Sequence, residues 1–150
     1  MTKVLRAAYR YWTLILFVAV IVQIGAAGYG AFYADAKAGE PAGSVTQEQF
    51  DHGFGFHVFL GFMIFLASVL LFLLALAARI GRRGVLFALA VPLLVFLQIV
   101  LGMVGASTPA VGALHPVNAL LILSLIGYLA HRAWANHRAR SASPATMPTA

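Results

Sequence analysis

Residues 54–78 read FGFHVFLGFMIFLASVLLFLLALAA, a run of twenty-five residues without one charged side chain. Crossing ~30 Å of hydrocarbon takes ~20 mostly apolar residues in a helix, which satisfies its own backbone hydrogen bonds. A soluble domain could hide one such helix only by wrapping it in other elements with polar outer faces. Working outward, the rest of the chain offers no such shell. Residues 12–33, 85–105 and 111–130 are further runs of the same kind, and the 150-residue chain is 62% hydrophobic and 9% charged. These numbers exclude an ordinary soluble domain and predict an all-α, four-helix transmembrane bundle.

The few charges set an orientation. Lys3, Arg6 and Arg10 precede the first span, Arg79, Arg82 and Arg83 join the second to the third, and Arg132, Arg138 and Arg140 follow the fourth. The other side has Lys37 and all four acids, Asp35, Glu40, Glu48 and Asp51. Nine of ten basic residues on one side predict that both termini are cytoplasmic, N-in/C-in. Tyr11, Trp12, Tyr128 and Trp134 fall where an inner aromatic belt belongs, and Tyr29 and Tyr33 where an outer one does. The first span is too long for a signal-peptide core, and no small-residue cleavage site stands out after it, so it is read as a span.

The basic charge is thus a topology signal, and neither a disordered tail nor a nucleic-acid binder fits the composition. With no cysteine in the chain, disulfides, thiolate catalysis and iron–sulfur clusters are excluded. Two connections are short, 79–84 inside and 106–110 outside, so neighbouring helices are antiparallel. The outer loop 34–53 carries the breakers Gly39, Pro41 and Gly43, followed by Thr46 and Gln49 at capping-box spacing, which predicts a short surface helix leading into the second span. Residues 1–135 form the membrane domain, and 136–150, small and polar with two prolines from Ser141 onward, are expected to be a disordered cytoplasmic tail.

Polar side chains inside spans are costly and face the bundle interior unless they find other partners. Val22-Gln23-Ile24 matches Leu97-Gln98-Ile99, and Gly30-Ala31 falls on Gly105-Ala106 without a gap. Each of these helices is followed by one with a histidine near its outer end, His57 or His115, so the chain reads as a Gln-helix, His-helix unit written twice. Two imidazoles at matched depth can converge on one point, and haem iron accepts two axial imidazoles. Gly53 and Gly61 flank His57 on its helix face, and Gly112 and Ala119 flank His115, with Asn118 near it. Such small residues let a flat macrocycle lie against the helix, and equally let a second helix approach closely. Pro116, directly after His115, either bends the helix or marks its first turn.

No Asp or Glu lies inside any span, so a carboxylate-based proton or cation pathway has no carrier, and no phosphate loop or His-Glu-x-x-His motif is present. Asp51, His52 and His57 offer an outward metal or small-molecule site, although positions 52 and 57 lie about 140° apart around a helix. His131 and His137 fall among the inner arginines and read as interfacial residues.

With the Gln23/His57 and Gln98/His115 pairs laid out, the chain resembles one four-helix half of haem A synthase. The closest stretch is Leu97-Gln98-Ile99-Val100-Leu101-Gly102, a short outer loop, and then Ala113-Leu114-His115. It is also similar, through Phe54-x-x-His57-x-x-x-Gly61, to small four-span bacterial membrane proteins. The resemblance covers the four spans and implies histidines offered to a haem from the second and fourth helices. The leading expectation is therefore a multi-pass protein of the bacterial cytoplasmic membrane that binds haem b through His57 and His115, for electron transfer or haem handling. Gln23 and Gln98, with the small residues 53, 61, 112 and 119, would line the site, and a membrane redox partner or a second copy of the chain would be its partner. The alternatives are a cofactor-free accessory subunit whose histidines bond across helices, and the outward-facing metal or small-molecule site.

Overall fold

The computed structural model describes residues 2–38 and 44–142, and these form five α-helices: α1 (Thr2–Ala38), α2 (Gln47–Ala77), α3 (Arg82–Gly105), α4 (Pro109–Gly112) and α5 (Leu114–Ala142). The short α4 is a single turn leading into α5, so the architecture is a four-helix bundle, all-α across the described residues. All four long elements are long and apolar enough to cross a membrane. Each of α1 and α3 packs against both α2 and α5, whereas the diagonal pairs α1/α3 and α2/α5 lie across the bundle from one another.

Each boundary has a local cause. At the start of α2 the Thr46 hydroxyl accepts from the Gln49 N–H, and the Gln49 side chain accepts from the Thr46 N–H, so the capping box expected from the sequence is present. The expected surface helix is the first turns of α2 itself, not a separate element. At the other end Arg79 N–H donates to Leu76 O and Ile80 N–H to Ala75 O, the double bond pattern of a Schellman stop. Arg79 adopts φ 50 there, a left-handed conformation that glycine usually supplies, and Gly81 then turns the chain with φ 92.

One fully buried side chain from each long helix joins a single core cluster in the half nearer the chain termini: Leu16, Leu71, Val91 and Ile126. Thr13 and Ser68 are buried among them, and their hydroxyls donate to the carbonyls of Arg10 and Phe65 on their own helices. Trp12 Nε1 donates to Ala67 O at 2.8 Å, joining α1 to α2. The outside is the reverse of a soluble surface. Val18, Leu66, Leu93 and Leu120, one per long helix, are between 51% and 61% exposed, and hydrocarbon is the solvent that makes such a surface stable.

One expectation about the chain's course needs adjustment, one falls outside the described residues and one is placed by them. Helix α5 runs on to Ala142, so residues 136–142 are helical and not a disordered tail, while 143–150 lie outside the described residues. Gly39, Glu40, Pro41 and Gly43 in the outer loop also lie outside them. Pro116 has no N–H for the Gly112 carbonyl, the helix breaks at Ala113 between α4 and α5, and Pro116 sits in the first turn of α5, where its missing N–H costs little. Pro92, by contrast, is buried within α3.

Candidate functional site

The polar residues of the half away from the chain termini converge between the helices, and they do so twice in the same way. On the first pair, His57 Nδ1 of α2 lies 3.2 Å from Gln23 O of α1. On the second, His115 Nδ1 of α5 lies 3.0 Å from Gln98 O of α3. A carbonyl oxygen can only accept, so Nδ1 carries the proton in both rings. In the neutral form of such a ring the lone pair is on Nε2. An Nδ1–H held by a backbone carbonyl is the arrangement that orients metal-ligating histidines.

The two rings belong to diagonally opposed helices, and their centroids are 6.2 Å apart with planes at 55°. Imidazoles sharing one metal through opposed nitrogens, at about 2 Å per metal–nitrogen bond, have ring centres about 6 Å apart. The observed centroid spacing is of that size.

The amides complete the site differently on the two sides. Gln23 Nε2 donates to His57 O at 2.8 Å and lies 3.5 Å from His57 Nε2, at the limit of a hydrogen bond. Gln98 Oε1 accepts from Asn118 Nδ2 at 2.7 Å, and the same amide donates to Leu94 O at 2.9 Å. Both glutamines thus face inward, as intramembrane amides must, but each bonds to the neighbouring helix and not to the other glutamine. Gln23 Oε1 and Asn118 Oδ1 are buried acceptors without a partner. Unpaired polar atoms in a dry bundle are expensive, and two of them beside the histidines mark a site still able to accept hydrogen bonds.

The small residues divide by role. At Gly61 a Cβ would come 3.1 Å from Gln23 Nε2, and at Gly102 one would come 3.3 Å from His115 Cε1, so both glycines border the polar cluster. Gly53 packs on Gly30, where an added Cβ would meet Gly30 Cα at 3.5 Å and Tyr33 at 3.0 Å. Gly112 packs on Gly105 in the other half, with an added Cβ 3.1 Å from Gly105 Cα. These two serve close helix approach, the packing role open to them from the sequence. Gly112 belongs to α4 and so does not share a continuous helix with His115. Ala119 is half-buried next to Asn118 and has no hydrogen-bonding side chain to contribute.

Two residues gained importance over the sequence reading. Asn118, 5% exposed, is the node tying α5 to α3, and Gly102 makes room for the His115 ring. Asn118 is visible in the sequence as a polar residue near His115 but its partners are not, and Gly102 does not stand out because it matters through a neighbour on another helix. The outward site is not assembled: His52 lies against the Tyr33 ring, centroids 5.2 Å apart and planes at 42°, Asp51 Oδ1 accepts from Gln47 Nε2, and no group of three metal-ligating side chains occurs among the described residues. His131 and His137 are exposed at the inner end, far along α5 from His115. Comparison with family models, with curated proteins and with solved structures gives no match for this chain.

Proposed function

We propose that this chain is an integral protein of a bacterial cytoplasmic membrane, with both termini cytoplasmic, that holds one b-type haem through His57 and His115. The observation that carries this reading is the matched pair of Nδ1–carbonyl hydrogen bonds on diagonal helices, with ring centres 6.2 Å apart. The backbone carbonyls of Gln23 and Gln98 fix the tautomer and orientation of the rings, which leaves each Nε2 as the ligating atom. His57 and His115 would hold the haem, which would supply one-electron transfer. Apolar side chains border the site: Phe54 lies edge-on to His57 at 6.2 Å, and the half-buried Leu60 packs on the apolar core below. Gln23 Oε1 and Asn118 Oδ1 supply two acceptors at the site. Electron transfer to a membrane partner, or the holding and passing on of haem, follows from such a site. No carboxylate is placed at it to support further catalysis among the described residues.

The test is the haem content of protein purified from haem-supplemented cells. One haem b per chain is expected, lost on His57→Ala or His115→Ala. Its orientation is tested separately: the chain lacks cysteine, so probes introduced at the exposed Ser44 and Ser141 report topology cleanly. They should label from opposite faces of the membrane, and labelling from one face refutes the four-span, N-in/C-in arrangement.

A second reading is favoured by the same hydrogen bonds. Since they join α1 to α2 and α3 to α5, the histidines could act as interhelical staples in a cofactor-free accessory subunit. Purified protein that is fully folded and haem-free after supplementation selects this reading.

A further inference from the structure

At the opposite end of the bundle from the histidines lies a cavity of about 570 Å³, bordered by Lys3, Arg6, Arg10, Arg79, Arg132 and Arg140. The volume is in the range of ligand pockets, about 300–1,000 Å³. The six cations come from α1, from the turn after α2 and from α5, so the fold gathers charges that are far apart in sequence around one space. No acidic residue borders it, and all four acids of the chain fall in the outer segment 35–51.

Some of these groups have internal partners that fix them without neutralising them. Arg6 Nε donates to Ala78 O at 3.2 Å, at the C-terminal end of α2. The Arg132 guanidinium donates to the Tyr128 hydroxyl. Arg10 lies 4.8 Å over the Trp134 ring and 5.2 Å over that of Tyr11, while its buried Nε has no hydrogen-bond partner. An unpaired buried guanidinium N–H is costly, and like charges held around one cavity raise each other's energy unless an anion joins them. Ring contacts orient Arg10 but supply no negative charge.

We propose that this cavity binds a phosphate group, whether carried by an anionic phospholipid headgroup or as free phosphate. Guanidinium groups suit phosphate oxygens through paired N–H donors, and basic pockets between helix ends accept lipid phosphates. Ile80 and Leu129, which also border the cavity, give it an apolar wall beside the charges. The site is independent of the haem reading and stands or falls separately from it.

The experiment is native mass spectrometry of the full chain in detergent, titrated with phosphatidylglycerol, with zwitterionic phosphatidylcholine and with inorganic phosphate. Phosphatidylglycerol should bind with one-to-one stoichiometry and at least about tenfold more tightly than phosphatidylcholine. Arg79→Gln and Arg140→Gln should each weaken it about fivefold. Arg82→Gln removes the same charge from a position that does not border the cavity, and should leave affinity unchanged. Displacement of the lipid by inorganic phosphate identifies a free-phosphate site, and retention against millimolar phosphate identifies a lipid site. Equal binding of the two lipids, without phosphate binding, overturns the proposal. So does equal weakening by Arg82→Gln and Arg79→Gln, which would reveal only a diffuse basic field.

Discussion

The two helix pairs, α1/α2 and α3/α5, share one hydrogen bond and differ in almost everything around it. In each, a histidine Nδ1 donates to the backbone carbonyl of a glutamine seventy-five positions from its counterpart, Gln23 in one and Gln98 in the other. In each, a pair of glycines brings the backbones close at the outer end, Gly30 with Gly53 and Gly105 with Gly112. The glutamine side chains, however, serve different partners, since Gln23 returns to the His57 carbonyl whereas Gln98 receives Asn118. The outer connections differ too: an expected long loop and capping box on one side, a single-turn helix on the other. What both halves keep is the orientation of the imidazole, and what they vary is the amide. A unit whose fixed element is ring orientation is understandable if the rings act together across the bundle.

The largest expected effect tests that equivalence. His57→Ala and His115→Ala should each abolish retention of haem, while His131→Ala and His137→Ala, at the inner end, should leave it intact when haem is quantified after purification. Retention by either single outer variant would break the symmetry and leave one ring as a packing residue.

The glycine pairs sharpen the comparison next. A Cβ at Gly105 would lie 2.6 Å from the Gly112 backbone Cα, whereas one at Gly30 would lie 2.6 Å from the Phe54 ring. Backbone cannot step aside without moving a helix, but a ring can turn. Gly105→Ala should therefore cost about 1–3 kcal/mol and Gly30→Ala clearly less, as measured by unfolding in detergent. Equal losses would mean that Phe54 is as rigidly held as the α3/α4 contact.

The amides carry the smallest effects. Asn118→Leu leaves Gln98 Oε1 unpaired and should cost about 1–2 kcal/mol. Gln23→Leu removes one hydrogen bond but also an acceptor that has no partner, so its cost should be about 0.5 kcal/mol. A larger loss for Gln23→Leu than for Asn118→Leu would reverse the roles assigned to the two halves.

Much of this fold is legible in the sequence because uncharged runs of twenty or more residues have few alternatives to membrane helices. The Thr46/Gln49 start of α2 is readable for the same reason of limited choice, since the motif names both partners. The stop at Arg79 is not, because an arginine stands where the left-handed residue of that motif is usually glycine. The break at Ala113 is legible, because Pro116 has no N–H for the Gly112 carbonyl four residues back. The outer site is half-readable: His57, His115 and the two glutamines declare themselves by their cost in a membrane. Their principal partners are backbone carbonyls, which no residue letter encodes, and Gly102 and Asn118 become meaningful only once α3 and α5 are side by side. The inner basic cavity escapes the linear reading altogether, because its cations are spread from Lys3 to Arg140 and look like ordinary positive-inside charge until the bundle closes.

The measurement that bears most directly on the central claim is a reduced-minus-oxidised visible spectrum of the detergent-purified chain after expression with added haem. Paired ligation by His57 and His115 predicts a low-spin, bis-imidazole haem b difference spectrum that is lost in both single alanine variants. A folded protein with no haem absorbance, or a spectrum unchanged by His57→Ala or by His115→Ala, would contradict it.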